Sequence, residues 1–114
     1  MRRGAGAHLG TGAWLAQRAT AVALALLLPL LLARVFAALP VDYDGWRALF
    51  APVWVRVALL LTAAVLTLHA WIGLHDILMD YVKPVALRLV LYFAVIAVLA
   101  GSAAWLLVAL WRLG

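Results

Sequence analysis

The chain has 114 residues, of which 70% are hydrophobic and only 11% are charged. A soluble domain averages about 45–50% apolar and about 25% charged residues, and so short a chain leaves much of its surface exposed. The composition therefore excludes an ordinary soluble domain and indicates a protein that is solvated by lipid. The net charge of +5 rests on eight Arg and one Lys. Because these residues are scattered between apolar runs and form no basic patch, we expect no nucleic-acid partner.

The sequence contains no cysteine. This excludes disulfides, thiolate zinc sites, cysteine-ligated iron–sulfur clusters and covalently attached c-type haem. Any metal or cofactor bound by this chain must be held by His, Asp, Tyr, Met or backbone atoms.

Three long apolar stretches, bounded by charged residues, predict membrane-spanning helices at about 15–39, 54–79 and 85–111. A helix needs about 20 residues, at about 1.5 Å each, to cross about 30 Å of hydrocarbon. The tryptophans lie mostly toward the ends of these stretches, as interfacial anchors do. We therefore expect one membrane anchor domain over residues 1–114, with short loops.

The first loop, 40–50, has Trp46, Leu49 and Phe50 at helical spacing. This pattern predicts a short amphipathic helix on the membrane surface. Within the first span, Pro29 predicts a kink, because proline lacks the N–H that its helix needs. The predicted fold class is an all-α membrane protein with three transmembrane helices and a short interfacial helix between the first two.

A cleavable signal peptide is an alternative interpretation of the N-terminal region, since Arg2 and Arg3 precede the apolar run. The run is long for a signal peptide and 18 residues precede it, so we expect a retained span. Five Lys and Arg residues flank the spans on the N-terminal side, against four on the other side. The positive-inside rule thus favours a cytoplasmic N-terminus and a periplasmic C-terminus.

His69 lies deep in the second span. It follows Arg56 by 13 residues and precedes Asp80 by 11, which places it roughly 20 Å and roughly 16 Å from the two ends. An ionisable residue at such a depth is a functional hypothesis, and neutral imidazole is a good ligand for haem iron. The alternative is a histidine that hydrogen-bonds a neighbouring helix, and the spacing leaves both interpretations open.

One face of the second span carries the polar residues. At about 100° per residue, Thr62, His69, Gly73, Asp76 and Asp80 lie within about 40° of one line. Gly73 either leaves room for a flat macrocycle or permits close helix packing. His75 points about 120° away from this line, and we interpret it as an interfacial histidine.

Asp80 and Tyr81 end the same helix near the predicted membrane surface. A phenol can donate a hydrogen bond to a quinone carbonyl, and an adjacent carboxylate can orient the phenol or move protons. The alternatives are an aromatic-belt tyrosine and an aspartate paired with Lys83 or Arg88.

Arg18 lies on the same side of the membrane as Asp80 and Tyr81, because two crossings separate them. Its guanidinium can bind a carboxylate or propionate, or it can be an ordinary basic flank. The third span has no ionisable residue and carries a stripe of small residues typical of helix packing. If haem binds to His69, another chain must therefore supply the second axial ligand.

The segment His-Ala-Trp-Ile-Gly to Asp-Tyr-Val-Lys-Pro, residues 69–84, resembles the hydrophobic membrane anchor subunit of succinate dehydrogenase, the bacterial D subunit. The Gln-Arg-Ala-Thr-Ala segment at 17–21 is similar to the same family. The resemblance implies that a cytochrome b subunit pairs with this chain and that the two anchor a flavoprotein and an iron–sulfur protein. It also implies a shared haem b with His69 as one axial ligand.

The same resemblance implies that Tyr81 hydrogen-bonds ubiquinone, that Asp80 is its neighbour at the quinone site, and that Arg18 lies near the haem propionates or the quinone. The function implied is that of a membrane anchor subunit of succinate:quinone oxidoreductase in the bacterial inner membrane, linking the tricarboxylic acid cycle to the respiratory chain. We expect the chain alone to be non-catalytic. The alternatives are a cofactor-free membrane scaffold and a small transporter, although the first span lacks the acidic residue that a multidrug-type transporter is expected to carry.

Overall fold

The computed structural model describes the backbone of residues 3–113 and the side chains of residues 11–112. Within this part of the chain there are four α-helices and no strand: α1 (Arg3–Ala38), α2 (Tyr43–Leu49), α3 (Val53–Tyr81) and α4 (Val85–Leu113). Three of them, α1, α3 and α4, contain segments long and apolar enough to cross a membrane. The predicted fold class, with its short helix between the first two spans, is confirmed. Arg2 and the side chain of Arg3, which entered the charge count, lie outside the described residues.

The long helices pack in a row, with α3 between α1 and α4. Buried side chains on α1 (Thr20, Leu24, Leu31) recur at helical spacing and face α3, where Val55 and Thr62 are buried. In lipid no hydrophobic force drives helices together. Close packing is favoured by small side chains and by polar side chains that hydrogen-bond within their own helix. Thr62 fits this rule, because its hydroxyl donates to the Ala58 carbonyl at 2.7 Å.

The short helix α2 is held by polar contacts at both ends. The Asp42 carboxylate accepts from the Gly45 N–H at 2.8 Å and caps the N-terminus. At the other end, Arg34 of α1 donates from Nε and Nη2 to the Leu49 carbonyl at 3.1 and 3.0 Å. The Arg34 guanidinium also lies 4.9 Å over the Trp54 ring at the start of α3. Arg34 thus joins α1, α2 and α3 at one end of the bundle.

The connection between α3 and α4 has only three residues, 82–84. The Val82 N–H still donates to the Leu78 carbonyl at 3.0 Å, and the Arg88 N–H donates to the Pro84 carbonyl at 3.0 Å. So short a loop makes α3 and α4 antiparallel neighbours. Asp80 and Tyr81 therefore lie at the end of the bundle opposite α2.

Candidate functional site

His69 lies on the face of α3 that packs against α1, and its partner there is Thr20. The His69 Nδ1 atom is 2.9 Å from the Thr20 Oγ1 atom. Thr20 is only 7% exposed, and its Oγ1 is also 2.7 Å from the Ala16 carbonyl and 3.0 Å from the Gln17 carbonyl. These two backbone carbonyls of α1 therefore orient the Thr20 hydroxyl that contacts the imidazole.

These distances favour one tautomer of His69. A hydroxyl has one proton to donate, and a carbonyl oxygen can only accept. When the Thr20 proton is donated within α1, to Ala16 at the shorter distance, Oγ1 accepts from the His69 Nδ1–H. In the neutral imidazole the lone pair then resides on Nε2. This is the atom that would bind a metal.

The Nε2 atom has no hydrogen-bond partner among the described side chains. The buried side-chain atoms without a partner in this part of the chain are Gln17 Oε1 and Arg56 Nε, so Nε2 is not fully buried. It is consequently accessible from outside this chain, although the His69 residue as a whole is half-buried. The described residues contain no group of three or more His, Cys, Asp or Glu side chains able to hold a metal ion. His69 is therefore a single candidate nitrogen ligand in this part of the chain.

Gly73 lies one turn beyond His69 and also faces α1. A Cβ atom at this glycine would be 3.4 Å from the Gln17 Nε2 atom, which is ordinary van der Waals contact. The Gln17 side chain lies beside Gly73, but a Cβ atom would fit there, so this contact does not decide between the two interpretations of Gly73. The Gln17 Oε1 atom is buried and has no hydrogen-bond partner.

Sequence reasoning singled out neither Thr20 nor Gln17 as a site residue. Both belong to the segment 17–21 that carried the family resemblance. A polar residue inside an apolar run was the available signal, because such a side chain needs a partner when lipid surrounds the helix. Identifying the partner required the register of α1 against α3.

Asp80 and Tyr81 form the exposed end of α3. Tyr81 is 80% exposed, and it lies twelve residues after His69, about 18 Å along the helix axis. Among the described residues, the Asp80 carboxylate forms no ion pair with Lys83 or Arg88; the one contact of this type is between His75 Nδ1 and Asp76 Oδ1, at 3.7 Å. The carboxylate and the phenol are both open to a ligand or to another chain.

Arg18 does not meet the other candidate residues. It precedes Thr20 by two residues, or about 200° of rotation, so it points away from α3. Its guanidinium carbon lies 5.1 Å over the Trp14 ring. Since Thr20 and His69 are in contact, Arg18 lies about 3 Å from the His69 level along the bundle axis and about 15 Å from the Tyr81 level.

His75 belongs to a different surface of α3. Its ring stacks on Tyr92 of α4, with centroids 4.8 Å apart and an interplanar angle of 14°. Trp71 meets the same tyrosine edge-on at 5.9 Å. The predicted direction of His75, away from His69, is confirmed, and its ring is half-buried among these aromatic side chains.

Comparison with known proteins identifies the family. Residues 2–109 match the family model described as succinate dehydrogenase/fumarate reductase transmembrane subunit. The chain belongs to this family. A relative from Coxiella burnetii (strain RSA 493 / Nine Mile phase I), named succinate dehydrogenase hydrophobic membrane anchor subunit, is 32% identical over 98 residues. The match covers 86% of this chain and 85% of that relative.

The resemblance drawn from residues 17–21 and 69–84 is therefore confirmed. The chain is a multi-pass membrane anchor subunit of the succinate dehydrogenase/fumarate reductase family.

Proposed function

We propose that this chain supplies one axial ligand to haem b and part of the ubiquinone-reduction site in succinate:quinone oxidoreductase. The observation that supports the first part is the Thr20–His69 hydrogen bond. With the imidazole proton on Nδ1, this bond leaves the Nε2 lone pair free for a metal. A second-sphere hydrogen bond of this kind orients a metal-ligating histidine and raises its basicity.

A bound haem b supplies a one-electron carrier within the membrane. The residues of this chain would hold the ring of His69 in place, because Thr20 orients its Nδ1 side. A second ligand would come from the cytochrome b subunit. Arg18, whose guanidinium lies over the Trp14 ring, is proposed as a partner for a haem propionate or for the quinone.

At the open end of α3, the Tyr81 phenol donates a hydrogen bond to a ubiquinone carbonyl. The neighbouring Asp80 carboxylate orients that phenol or passes protons to the reduced quinone, which takes up two electrons and two protons. Both side chains are exposed, and this end of the bundle lies near the membrane surface, where protons are available.

The proposed setting is a complex in the bacterial inner membrane. A cytochrome b subunit, an iron–sulfur subunit and a flavoprotein subunit complete it, with the N-terminus of this chain cytoplasmic and its C-terminus periplasmic. Succinate is oxidised at the flavin, and electrons reach ubiquinone through the iron–sulfur clusters. Residues 1–114 act as one membrane anchor domain without activity of its own.

A cofactor-free scaffold is the second candidate, because the Thr20–His69 hydrogen bond also joins α1 to α3. The accessible Nε2 atom favours the ligand role over this alternative. The two are separated by purifying the tagged chain in mild detergent and recording a reduced-minus-oxidised spectrum. We expect a b-type haem spectrum together with a co-purifying flavoprotein. Absence of both haem and flavoprotein would exclude the proposal.

The Thr20→Val variant is expected to disturb the haem while the helices stay packed. Valine has nearly the same shape but accepts no hydrogen bond, so the Nδ1–H of His69 loses its partner. Loss of such a second-sphere contact weakens metal binding by about 10–100-fold. Haem content and the electron paramagnetic resonance spectrum of the purified complex measure the effect.

Two further variants make the Thr20 experiment specific. Thr20→Ser keeps the hydroxyl and is expected to retain the haem signal. Thr67→Val alters a threonine that lines the groove between α3 and α4, two residues before His69, and is expected to leave the haem unchanged. If Thr20→Val shows the wild-type spectrum and haem content, Thr20 does not position the ligand.

A further inference from the structure

The end of the bundle opposite Tyr81 contains a buried cationic atom without a partner. Arg56 lies in the first turn of α3, and its Nε atom is buried and forms no hydrogen bond within the described part of the chain. Burying a charged donor without a partner is costly, and Arg56 as a whole is only half-buried, so an anion can approach the rest of its guanidinium. This guanidinium therefore has unused capacity for an anion that the chain itself does not provide.

Arg56 lines one of two apolar grooves that flank the seam between α3 and α4. The first groove has a volume of about 200 Å³ and includes Val57, Leu60, Leu107 and Trp111. Leucine, valine and tryptophan side chains make this groove suitable for a hydrocarbon chain.

The second groove lies on the other side of Leu110, a residue that lines both grooves and is only 5% exposed. Its volume is about 410 Å³, and its lining includes Arg47 of α2 together with Trp46, Leu59 and Leu106. Each groove thus has one arginine near the end of the bundle and leucines deeper along the helices.

The other charged residues at this end are engaged elsewhere or, like Asp44 and Arg112, line neither groove. Arg34 donates to the Leu49 carbonyl, and the Asp42 carboxylate caps α2. Arg47 and Arg56 are consequently the cations that line the grooves, and neither groove contains an acidic side chain.

We propose that this surface binds one anionic diacyl phospholipid, of the phosphatidylglycerol class. Its phosphate accepts hydrogen bonds from the Arg56 guanidinium and interacts with Arg47, while its two acyl chains lie in the grooves on either side of Leu110. An anionic headgroup is favoured over a zwitterionic one, because the latter carries an ammonium that two arginines repel. Basic pockets between transmembrane helices recognise lipid headgroups in this way.

This lipid site is independent of the proposed haem and quinone roles. Arg56 lies 13 residues from His69, about 20 Å along α3, and at the opposite end from Tyr81. Failure of either proposal therefore leaves the other intact.

The test uses the purified, delipidated complex and native mass spectrometry with added dioleoylphosphatidylglycerol. We expect the wild type to retain one lipid more tightly with this probe than with dioleoylphosphatidylcholine. Arg56→Gln is expected to weaken that binding by about tenfold, as loss of a charge-assisted hydrogen bond does. Arg88→Gln, which removes an arginine from the other end of the bundle, is expected to bind like the wild type.

Three results would overturn the proposal. Equal binding of the two lipids by the wild type removes the preference for an anionic headgroup, and this comparison needs no variant to assemble. Unchanged phosphatidylglycerol binding by Arg56→Gln excludes Arg56 as the headgroup ligand. Displacement of the lipid by millimolar inorganic phosphate would assign the site to a free anion, because the acyl grooves would then contribute nothing.

Discussion

Replacing His69 by alanine is expected to remove haem b from the purified complex. The imidazole Nε2 is the iron ligand in the proposed site, and the other nearby histidine, His75, faces α4 and cannot replace it. Loss of a direct ligand should exceed the roughly 10–100-fold loss of affinity that second-sphere changes cause. Haem stoichiometry and the reduced-minus-oxidised spectrum measure the result.

The matched control is His75→Ala. It removes the same side chain from the same helix, six residues further on, and breaks the stacking with Tyr92, which is worth about 0.5–1.5 kcal/mol. We expect some loss of thermal stability and an unchanged haem spectrum. A wild-type haem spectrum and stoichiometry in His69→Ala would show that His69 is a packing residue and that the cofactor-free interpretation of this chain is correct.

The second large effect is expected from Tyr81→Phe. This change removes the phenol O–H and keeps the ring, so quinone loses one hydrogen-bond donor. We expect quinone reductase activity to fall by about tenfold, the equivalent of about 1.4 kcal/mol. Succinate oxidation with an artificial acceptor should continue at the wild-type rate, because that assay does not use the quinone site.

Folding does not complicate the Tyr81 experiment, since the side chain is 80% exposed and forms no hydrogen bond among the described residues. Tyr92→Phe is its control. The aromatic cluster with His75 and Trp71 survives that change, and quinone kinetics should not respond. Unaltered quinone kinetics in Tyr81→Phe would exclude the tyrosine from the site, and a parallel fall with the artificial acceptor would indicate a defect of assembly instead.

Much of the architecture follows from local sequence. Three apolar runs of sufficient length predict the three spans, because the ability of a segment to cross the bilayer depends on its own length and hydropathy. The interfacial helix was likewise predictable from Trp46, Leu49 and Phe50 at helical spacing. Local periodicity also separated His75 from His69, and the structure shows His75 on Tyr92 and His69 on Thr20.

The candidate site was predictable only in part. His69, Asp80 and Tyr81 stood out as rare polar residues in or beside apolar spans, and their chemical roles remain proposals. Gly73 could be interpreted in two ways from sequence, and its contact with Gln17 is compatible with both. The direction of Arg18, away from α3, depends on how α1 is rotated, which the sequence of α1 alone does not fix.

The composition of 70% hydrophobic and 11% charged residues, with the spacing of those charges, was enough by itself to determine an all-α membrane chain with three spans. The tertiary structure decided which side chains meet across the spans. Thr20 opposite His69 and the unpartnered Arg56 beside its groove both depend on the register and rotation of whole helices. The register and rotation of the helices result from packing between segments far apart in sequence. The helical periodicity of a single segment carries no information about that packing.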